Sequence, residues 1–204
     1  MAKQERAVRT RGTLIRSAAE IFDTDGFVAA SISAISSRAG VSGGALHFHF
    51  PSKSALAEAI EAEAERRLRL ITCRTPAPSE CPLRLLVDAS HELFDQLNND
   101  VVLRAGFSLG CEAAWRGEVD LHGQWKDWIG STLASAADRG VLADGTAPED
   151  AATVVAASTV GFEALGRKNP EWLSPQRLGR FWRFMLPRLE REGRAEAVFQ
   201  KGTQ

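Results

Sequence analysis

The sequence predicts an all-α protein in which a small three-helix domain precedes a larger helical body. Apolar residues recur at helical spacing along most of the 204 residues, and no stretch of useful length shows the alternation typical of strands. Serine, glycine and proline residues also stand where such helices would begin and end. We expect the small domain to span residues 1–53 and the body residues 54–204, joined without a flexible linker.

The first helix is predicted to end at Gly26, with Leu14, Ala18 and Phe22 recurring on one face. After it, residues 30–50 are predicted to form two short helices joined by a tight turn. Ser31 can cap the first of these helices and Ser42 the second, which opens with two glycines. Such small residues let a helix N-terminus approach a surface closely, and its free N–H groups suit phosphate. The segment therefore predicts a DNA-binding helix-turn-helix.

The charge is uneven along the chain, although the net charge is only −1. Residues 1–53 contain seven Lys or Arg and four Asp or Glu, so the remaining residues are net acidic. A basic domain attached to an acidic body is typical of a DNA-reading domain joined to a domain with another task. Chance can also produce such an imbalance, and a basic arm can simply be solvated. The arm ahead of the first helix carries Arg6, Arg9, Thr10 and Arg11.

Six helices are predicted after Pro51. Ser52 can cap the first, which carries Leu56 and Ile60 on its apolar side and leads from the DNA-binding domain into the body. Residues 72–82 are predicted to be a loop because they contain three prolines. The other helices are expected at about residues 83–97, 101–114, 121–139, 148–165 and 174–189.

The last two of these helices carry more large apolar residues than one body can cover. We therefore expect a homodimer, because a protein with one short recognition helix usually needs two DNA half-sites. An intrachain core without a dimer is the alternative. The predicted interface residues are Val154, Ser158, Phe162, Trp182 and Met185.

Several protein classes are excluded by what the sequence lacks. No run of about 18 apolar residues is present, so a membrane span is not expected, and the charged N-terminus does not read as a signal peptide. Three cysteines at spacings that match no metal motif favour a reduced cytoplasmic protein. No catalytic fingerprint occurs, so we expect neither an enzyme nor a cofactor. His47 and His49 stand two apart on a helix and face different ways, which argues against a metal site.

Residues 41–56 resemble the signature of TetR-family transcriptional repressors. They read VSGGALHFHFPSKSAL, and the family's usual form is V-[ST]-K-G-x-L-Y-x-H-F-x-x-K-x-x-L. Gly43 replaces the usual Lys and His47 the usual Tyr, two positions that contact the DNA backbone in relatives. The DNA-binding residues are then expected to be the four arm residues together with Ser33, Ser42, Gly43, Gly44, His47, His49 and Lys53.

The order of features in the body is similar to that of the γ-butyrolactone autoregulator receptors of actinomycetes. The likeness includes residues 137–142, ADRGVL, and residues 181–187, FWRFMLP. It implies a repressor that binds an inverted-repeat operator as a dimer and is released by a small signalling molecule such as a γ-butyrolactone, furan or butenolide. It also implies a pocket tryptophan, either Trp125 or Trp128. We expect this pocket to be an apolar cavity between the helices that carry Leu86, Phe107 and the two tryptophans, with Leu86 and Phe107 in its lining. Both tryptophans could instead be plain core residues.

A redox-responsive DNA-binding regulator is the alternative function. Cys73 and Cys81 flank the proline-rich loop and could form a disulfide on oxidation. Only Arg74 lies near enough in sequence to lower a thiol pKa.

Overall fold

The computed structural model describes residues 2–73 and 80–191, and helices make up most of this part of the chain. The prediction of an all-α fold is confirmed, since the described residues form no strand and contain only an isolated bridge between Leu142 and Glu190. None of their helices has the length and apolar character needed to cross a membrane. The α-helices are α1 (Ala2–Ala29), α2 (Ile32–Arg38), α3 (Gly43–His49), α4 (Lys53–Thr72), α5 (Pro82–Asn99), α6 (Val101–Leu109), α7 (Leu121–Asp138), α8 (Pro148–Gly166) and α9 (Pro175–Leu189), with a 3-10 helix at Pro170–Leu173.

The predicted helix boundaries are largely confirmed. The hydroxyls of Ser31 and Ser42 accept hydrogen bonds from the backbone N–H groups three residues later, at 3.1 and 3.2 Å. The hydroxyl of Ser52 caps α4 in the same way, at 3.1 Å. Gly26 and Gly40 take positive φ values of 78° and 67°, the left-handed region in which a glycine is needed. Local sequence therefore sets where these helices begin and end.

Two boundaries differ from the prediction. The basic arm is not an extended segment ahead of the first helix, because α1 already begins at Ala2. Residues 2–11 contain no glycine or proline and are rich in Ala, Glu and Arg, which favour helix. In addition, α6 ends at Leu109 instead of continuing to residue 114, since Gly110 follows and the chain then turns through residues 110–120.

The chain divides into two compact units. Unit 1 contains residues 1–69 and 99–121, and unit 2 contains residues 70–98 and 122–204. Unit 1 thus combines the helix-turn-helix with most of α4 and all of α6. The predicted domain division at residue 53 stays a prediction.

Unit 1 has one hydrophobic core that joins the helix-turn-helix to α6. Leu14, Leu46 and Leu56 belong to the same buried cluster as Val102 and Leu109. The guanidinium of Arg104 on α6 donates to the carboxylate of Asp23 on α1, with a bifurcated hydrogen bond from Nε–H to both oxygens and a second bond from Nη2, at 2.8–3.1 Å. Because this pair is bidentate, it fixes orientation as well as distance. The helices α1 and α6 are therefore held together by apolar packing and by an ion pair.

Unit 2 is built from α5, α7, α8 and α9. The Phe162 ring on α8 packs edge-on against Phe94 of α5 at 5.3 Å and against Phe181 of α9 at 5.7 Å. Such edge-to-face pairs add to the stabilisation that comes from burying the rings. The amide of Asn98 donates a 2.9 Å hydrogen bond to the carbonyl of Leu173, which ties the end of α5 to the segment before α9.

We predict that Gly106→Ala destabilises the protein. A Cβ atom at Gly106 would lie 2.4 Å from the Cβ of Ala64 on α4, far inside the 3.4–4 Å of ordinary contact, so α4 and α6 would have to separate. Such overpacking costs about 1–3 kcal/mol. The measurement is the free energy of unfolding in urea at a fixed protein concentration.

Gly130→Ala is the matched control for this substitution. Gly130 lies inside α7, and an added Cβ would have Ala152 as its nearest neighbour at 3.9 Å. This variant should gain about 0.5–1 kcal/mol from helix propensity. Equal stability of the two variants would show that the packing of α4 against α6 tolerates a side chain at position 106.

Candidate nucleic-acid interface and effector site

The helix α3 presents a bare first turn to solvent. Its Ser42 cap is exposed, and Cβ atoms added at Gly43 or Gly44 would meet nothing within 4 Å. Leu46 is fully buried and fixes the opposite face of the helix in the core of unit 1. The structure thus brings Ser42, Gly43, Gly44 and His47 together on one exposed surface, with His49 half-buried beside it.

The basic arm lies beside the turn that precedes α3. Arg6, Arg9 and Thr10 occupy one face of α1 and line a groove of about 490 Å³ together with Val41 and the carboxylate-bearing Glu5, so the two arginines leave the groove net positive. Val41 is adjacent to Ser42, the N-cap of α3. The arm residues and the residues of α3, which were predicted separately, therefore lie on one surface. Positive charge beside the free N–H groups of a helix suits a phosphate backbone.

Arg11 and Ser33 lie elsewhere on unit 1. The guanidinium carbon of Arg11 sits 5.1 Å from the centre of the Phe50 ring, a cation–π contact away from the groove residues. Ser33 is exposed on α2, where its carbonyl accepts a 3.0 Å hydrogen bond from the Ser36 hydroxyl. Neither residue is part of the groove described above.

Lys53 donates all its ammonium protons to the backbone of unit 1. Its Nζ atom donates to the carbonyls of Phe27, Val28 and Ala30 at 2.7, 3.1 and 2.9 Å. It also lies 4.7 Å from the centre of the Phe27 ring. A lysine ammonium has three donors, so this arrangement uses each of them and ties the first turn of α4 to the end of α1. A contact between Lys53 and a DNA phosphate stays a prediction.

Two carboxylates of unit 1, Glu20 and Glu61, have shifted pKa values. Nε of Arg38 donates to Glu20 at 2.5 Å, and this hydrogen bond, with help from Arg16, holds the pKa of Glu20 below its ordinary value. Arg38 is therefore already paired. Glu61 lies on α4, is buried, and accepts a 2.7 Å hydrogen bond from the indole N–H of Trp115. Burial raises the pKa of Glu61 above its ordinary value, more than the Trp115 bond lowers it, and nearby Glu58 raises it further.

Trp125 and Trp128 stack on each other in unit 2. Their ring centres are 5.0 Å apart and their planes differ by 17°. Trp125 is buried, and its Nε1 donates a 3.2 Å hydrogen bond to the hydroxyl of Thr159 on α8, which in turn donates to the carbonyl of Val155 at 3.1 Å. Leu86 is buried in the same unit, whereas Phe107 on α6 belongs to unit 1.

A second polar contact joins α7 to α8 and was missed by the sequence analysis. Nε2 of His122 lies 3.2 Å from the carboxylate of Glu163, which also pairs with Arg167 at 3.2 Å. His122 precedes Trp125 by three residues, and Glu163 follows Thr159 by four, so both pairs lie along one seam between the two helices. In the sequence, this contact is indicated only by polar residues that recur at helical spacing within otherwise apolar segments.

The residues predicted for a dimer interface fall into two groups. Val154 on α8 is exposed, while Ser158, Phe162 and Met185 are half-buried. Trp182, in contrast, is only 1% exposed and lies in the core of unit 2, where it packs edge-on against Phe181 at 5.1 Å. Trp182 is therefore not available to contact a second copy of the chain in a dimer interface. The sequence analysis missed two exposed apolar side chains on these helices, Leu165 and Phe184.

The cysteines give the redox alternative no support. All three are free, and the exposed Cys73 thiol donates only to the carbonyl of Leu70, at 3.3 Å. Arg74, the one cation that the hypothesis invoked, lies outside the described residues. The relatives reported below are DNA-binding regulators and receptors of small molecules.

Comparison with known proteins identifies the helix-turn-helix and extends to nearly the whole chain. Residues 14–60 match the family model described as bacterial regulatory proteins, tetR family. The chain is 31% identical over 194 residues to the A-factor receptor protein of Streptomyces griseus, with 95% of this chain and 68% of that protein covered. It is 35% identical over 97 residues to the HTH-type transcriptional regulator UidR of Escherichia coli K12, covering 46% of this chain and 49% of that protein.

Solved structures agree with these sequence matches. A γ-butyrolactone receptor described as an ArpA-like protein superimposes with a TM-score of 0.83 at 26% identity, covering 95% of this chain and 94% of its own. CprB from Streptomyces coelicolor, in complex with its biological operator sequence, superimposes with a TM-score of 0.81 at 27% identity and the same coverage.

We predict that Lys53→Ala lowers the free energy of unfolding by about 1–3 kcal/mol, because three carbonyls lose hydrogen bonds from a charged donor. Arg66→Ala is the control, because this substitution removes the same charge from α4. Among the described residues, Arg66 pairs with Glu63 at the surface. An exposed ion pair of this kind contributes little to stability. Thermal and urea unfolding measure the difference. If both variants unfold alike while Lys53→Ala alone weakens binding to every DNA sequence, Lys53 contacts DNA instead of holding α1.

Proposed function

We propose that this chain, which belongs to the TetR family of bacterial regulatory proteins, is a ligand-responsive transcriptional repressor. It binds an inverted-repeat operator as a homodimer and is released by a small signalling molecule of the γ-butyrolactone, furan or butenolide type. A regulator of this kind works in the cytoplasm, where its operator lies. The observation that carries the proposal is the exposed surface of α3 with the groove of the basic arm beside it.

DNA binding is supported by the shape and charge of this surface. The recognition helix of a helix-turn-helix lies in the major groove with its first residues at the base edges. The glycines of α3 allow this approach, and Arg6 and Arg9 in the neighbouring groove carry positive charge that would attract flanking phosphates. CprB, a relative with the same fold, is known in complex with its operator.

Dimerisation is supported by an exposed apolar stripe on α8 and α9. Val154, Leu165 and Phe184 are exposed, and Ala157 and Gly161 between the first two are small enough for another helix to approach closely. Exposed apolar side chains grouped along helices are typical of protein interfaces. Two copies related by a two-fold axis would present two α3 helices to half-sites about one helical turn apart.

Effector binding is supported by the tryptophan pair and by the relatives. The A-factor receptor and the γ-butyrolactone receptor carry the names of their small-molecule ligands. In this chain, the half-buried Trp128 ring stacks on the buried Trp125 ring, and the seam between α7 and α8 carries hydrogen-bonding groups in the same unit. Pockets for small molecules usually combine such apolar walls with a few polar groups.

Release of the operator requires that the effector prefers a conformation that does not fit DNA. The coupling free energy in such systems is typically about 1–3 kcal/mol. The chain passes from unit 1 to unit 2 within α4, between residues 69 and 70. Because α4 and α6 are packed tightly against each other at Gly106, and α6 is paired with α1, a shift of α4 would move the helix-turn-helix as one body.

The experiment that tests the proposal is a footprint of the protein on the DNA upstream of its own gene. We expect protection of an inverted repeat, which is lost on addition of a synthetic γ-butyrolactone, a furan carboxylic acid or a butenolide. Trp125→Ala and Trp128→Ala should keep the footprint but require at least tenfold more effector for release, because stacking area is lost. Lys126→Ala, an exposed position between them, should respond like the parent. Unchanged release from both tryptophan variants would place the pocket elsewhere.

We also predict that Val154→Glu and Leu165→Glu convert the protein to a monomer. A carboxylate buried in an apolar interface without a partner costs several kcal/mol. Light scattering at micromolar concentration measures the mass, and operator binding should weaken in parallel because one half-site is lost. Val28→Glu replaces an exposed apolar residue of unit 1, 68% exposed against 48% for Val154 and 46% for Leu165, and should leave the mass unchanged. A parent protein that is already monomeric and still binds the operator fully would refute the dimer.

A further inference from the structure

Phe48 is the most exposed large apolar side chain among the described residues, with 84% of its surface accessible. A phenylalanine in a folded protein normally gains its stabilisation from burial. The core of unit 1 does not need this ring, because Leu46 and Phe50 already fill the inner face of this segment. The exposed ring is therefore available to a partner.

The position of Phe48 on α3 determines the direction in which it points. Leu46 faces the core, and residues two positions away on either side lie nearly opposite to it on a helix with 3.6 residues per turn. Gly44 and Phe48 are these residues, and they are neighbours on one face, four positions apart. The ring of Phe48 thus lies on the face of α3 that points away from the core of unit 1.

Gly44 leaves room for a base edge beside the ring. Helical side chains lean toward the N-terminus, so the Phe48 ring is directed toward the turn that contains Gly44. An added Cβ at Gly44 would meet nothing within 4 Å, so the ring does not cover it and the surface there is open backbone. An aromatic ring and a bare backbone thus follow each other on the outer face of α3, the helix that approaches base edges in a helix-turn-helix.

His49 supports the ring of Phe48. The two rings meet edge-on with their centres 5.2 Å apart and an angle of 84° between their planes. His49 is itself half-buried, so it provides a fixed backing for the exposed ring. Less conformational freedom is then lost when Phe48 meets a partner.

We propose that Phe48 selects thymine by packing against its C5-methyl group in the major groove. A phenyl ring neither donates nor accepts hydrogen bonds, so it cannot read the polar groups of a base edge. The thymine methyl is the one apolar group that base pairs present in the major groove, and phenylalanine is suited to contact it. This inference rests on the proposed function and names the base that the same surface reads.

Uracil substitution tests this contact directly. In the footprinted operator, each thymine of a half-site is replaced in turn by deoxyuridine, with the symmetric replacement in the other half-site. This change removes only the methyl group and leaves base pairing intact. Loss of one buried methyl weakens binding about fourfold, so the parent protein should bind about 15-fold more weakly when the contacted thymine is replaced in both half-sites. Affinities are measured by fluorescence anisotropy at constant salt.

Protein variants assign the effect to Phe48. Phe48→Ala should bind the thymine and uracil operators equally, and Phe48→Leu should keep part of the difference. Val28→Ala truncates another exposed apolar residue of unit 1 and should keep the whole difference. Thermal unfolding checks the fold, and an exposed truncation should change stability by no more than about 0.5 kcal/mol.

The outcomes separate this inference from the function on which it rests. If the parent protein binds its operator but no thymine shows a methyl dependence, or the dependence persists in Phe48→Ala, the reading of thymine by Phe48 is refuted and the repressor function stands. If Phe48→Ala binds too weakly to measure, Phe48→Leu decides, and an undiminished dependence in that variant also refutes the contact. A parent protein that protects no upstream DNA refutes both proposals.

Discussion

The close contact of α4 with α6 at Gly106 holds unit 1 in its arrangement. Any side chain at Gly106 would collide with Ala64, so the two helices approach more closely than larger residues allow. Ion pairs hold α6 at its N-cap and one turn into the helix, with Arg67 on Asp100 at 2.8 Å and Arg104 on Asp23 at 2.8 Å. Since Asp100 also caps α6, one carboxylate both starts the helix and fixes it to α4. One continuous hydrophobic core connects the helices of the helix-turn-helix to α4 and α6.

Two buried carboxylates are stabilised differently in the two units. Glu163 pairs with Arg167 and His122, so its charge has partners. Glu61 has the neutral indole of Trp115 as its hydrogen-bond donor, and burial therefore raises its pKa. Its carboxylate lies so close to Gly117 that an added Cβ there would be 2.2 Å from an oxygen. Glu61 thus positions the turn after α6 at a cost in charge solvation, a trade typical of groups that specify one arrangement.

Local features of the fold could be predicted from the sequence, whereas side-chain partners could not. Serine caps and positive-φ glycines act within a few residues, so Ser42 and Gly26 were read correctly. Lys53 was assigned to DNA by its place in a motif, but its bonds to residues 27–30 depend on how α1 meets α4. Trp182 was assigned to an interface by its size, yet the packing of unit 2 buries it. Phe48 received no role because an apolar residue on a short helix looks like core until its direction is known.

The hydrogen bond between Trp125 and Thr159 places a condition on any effector that binds beside the indoles. A buried N–H without a partner costs about 1–3 kcal/mol, and Thr159 removes this cost when no ligand is bound. Thr159 also donates to the carbonyl of Val155, so its hydroxyl stays hydrogen-bonded if Trp125 turns away. An effector carbonyl could therefore accept the hydrogen bond from Trp125 Nε1 with little net loss of hydrogen bonding in unit 2. The exchange would remove a tie between α7 and α8, and α8 carries the apolar stripe of the proposed dimer. Under the proposed function, effector binding would be linked to the α8 surface of the proposed dimer through this one exchanged hydrogen bond.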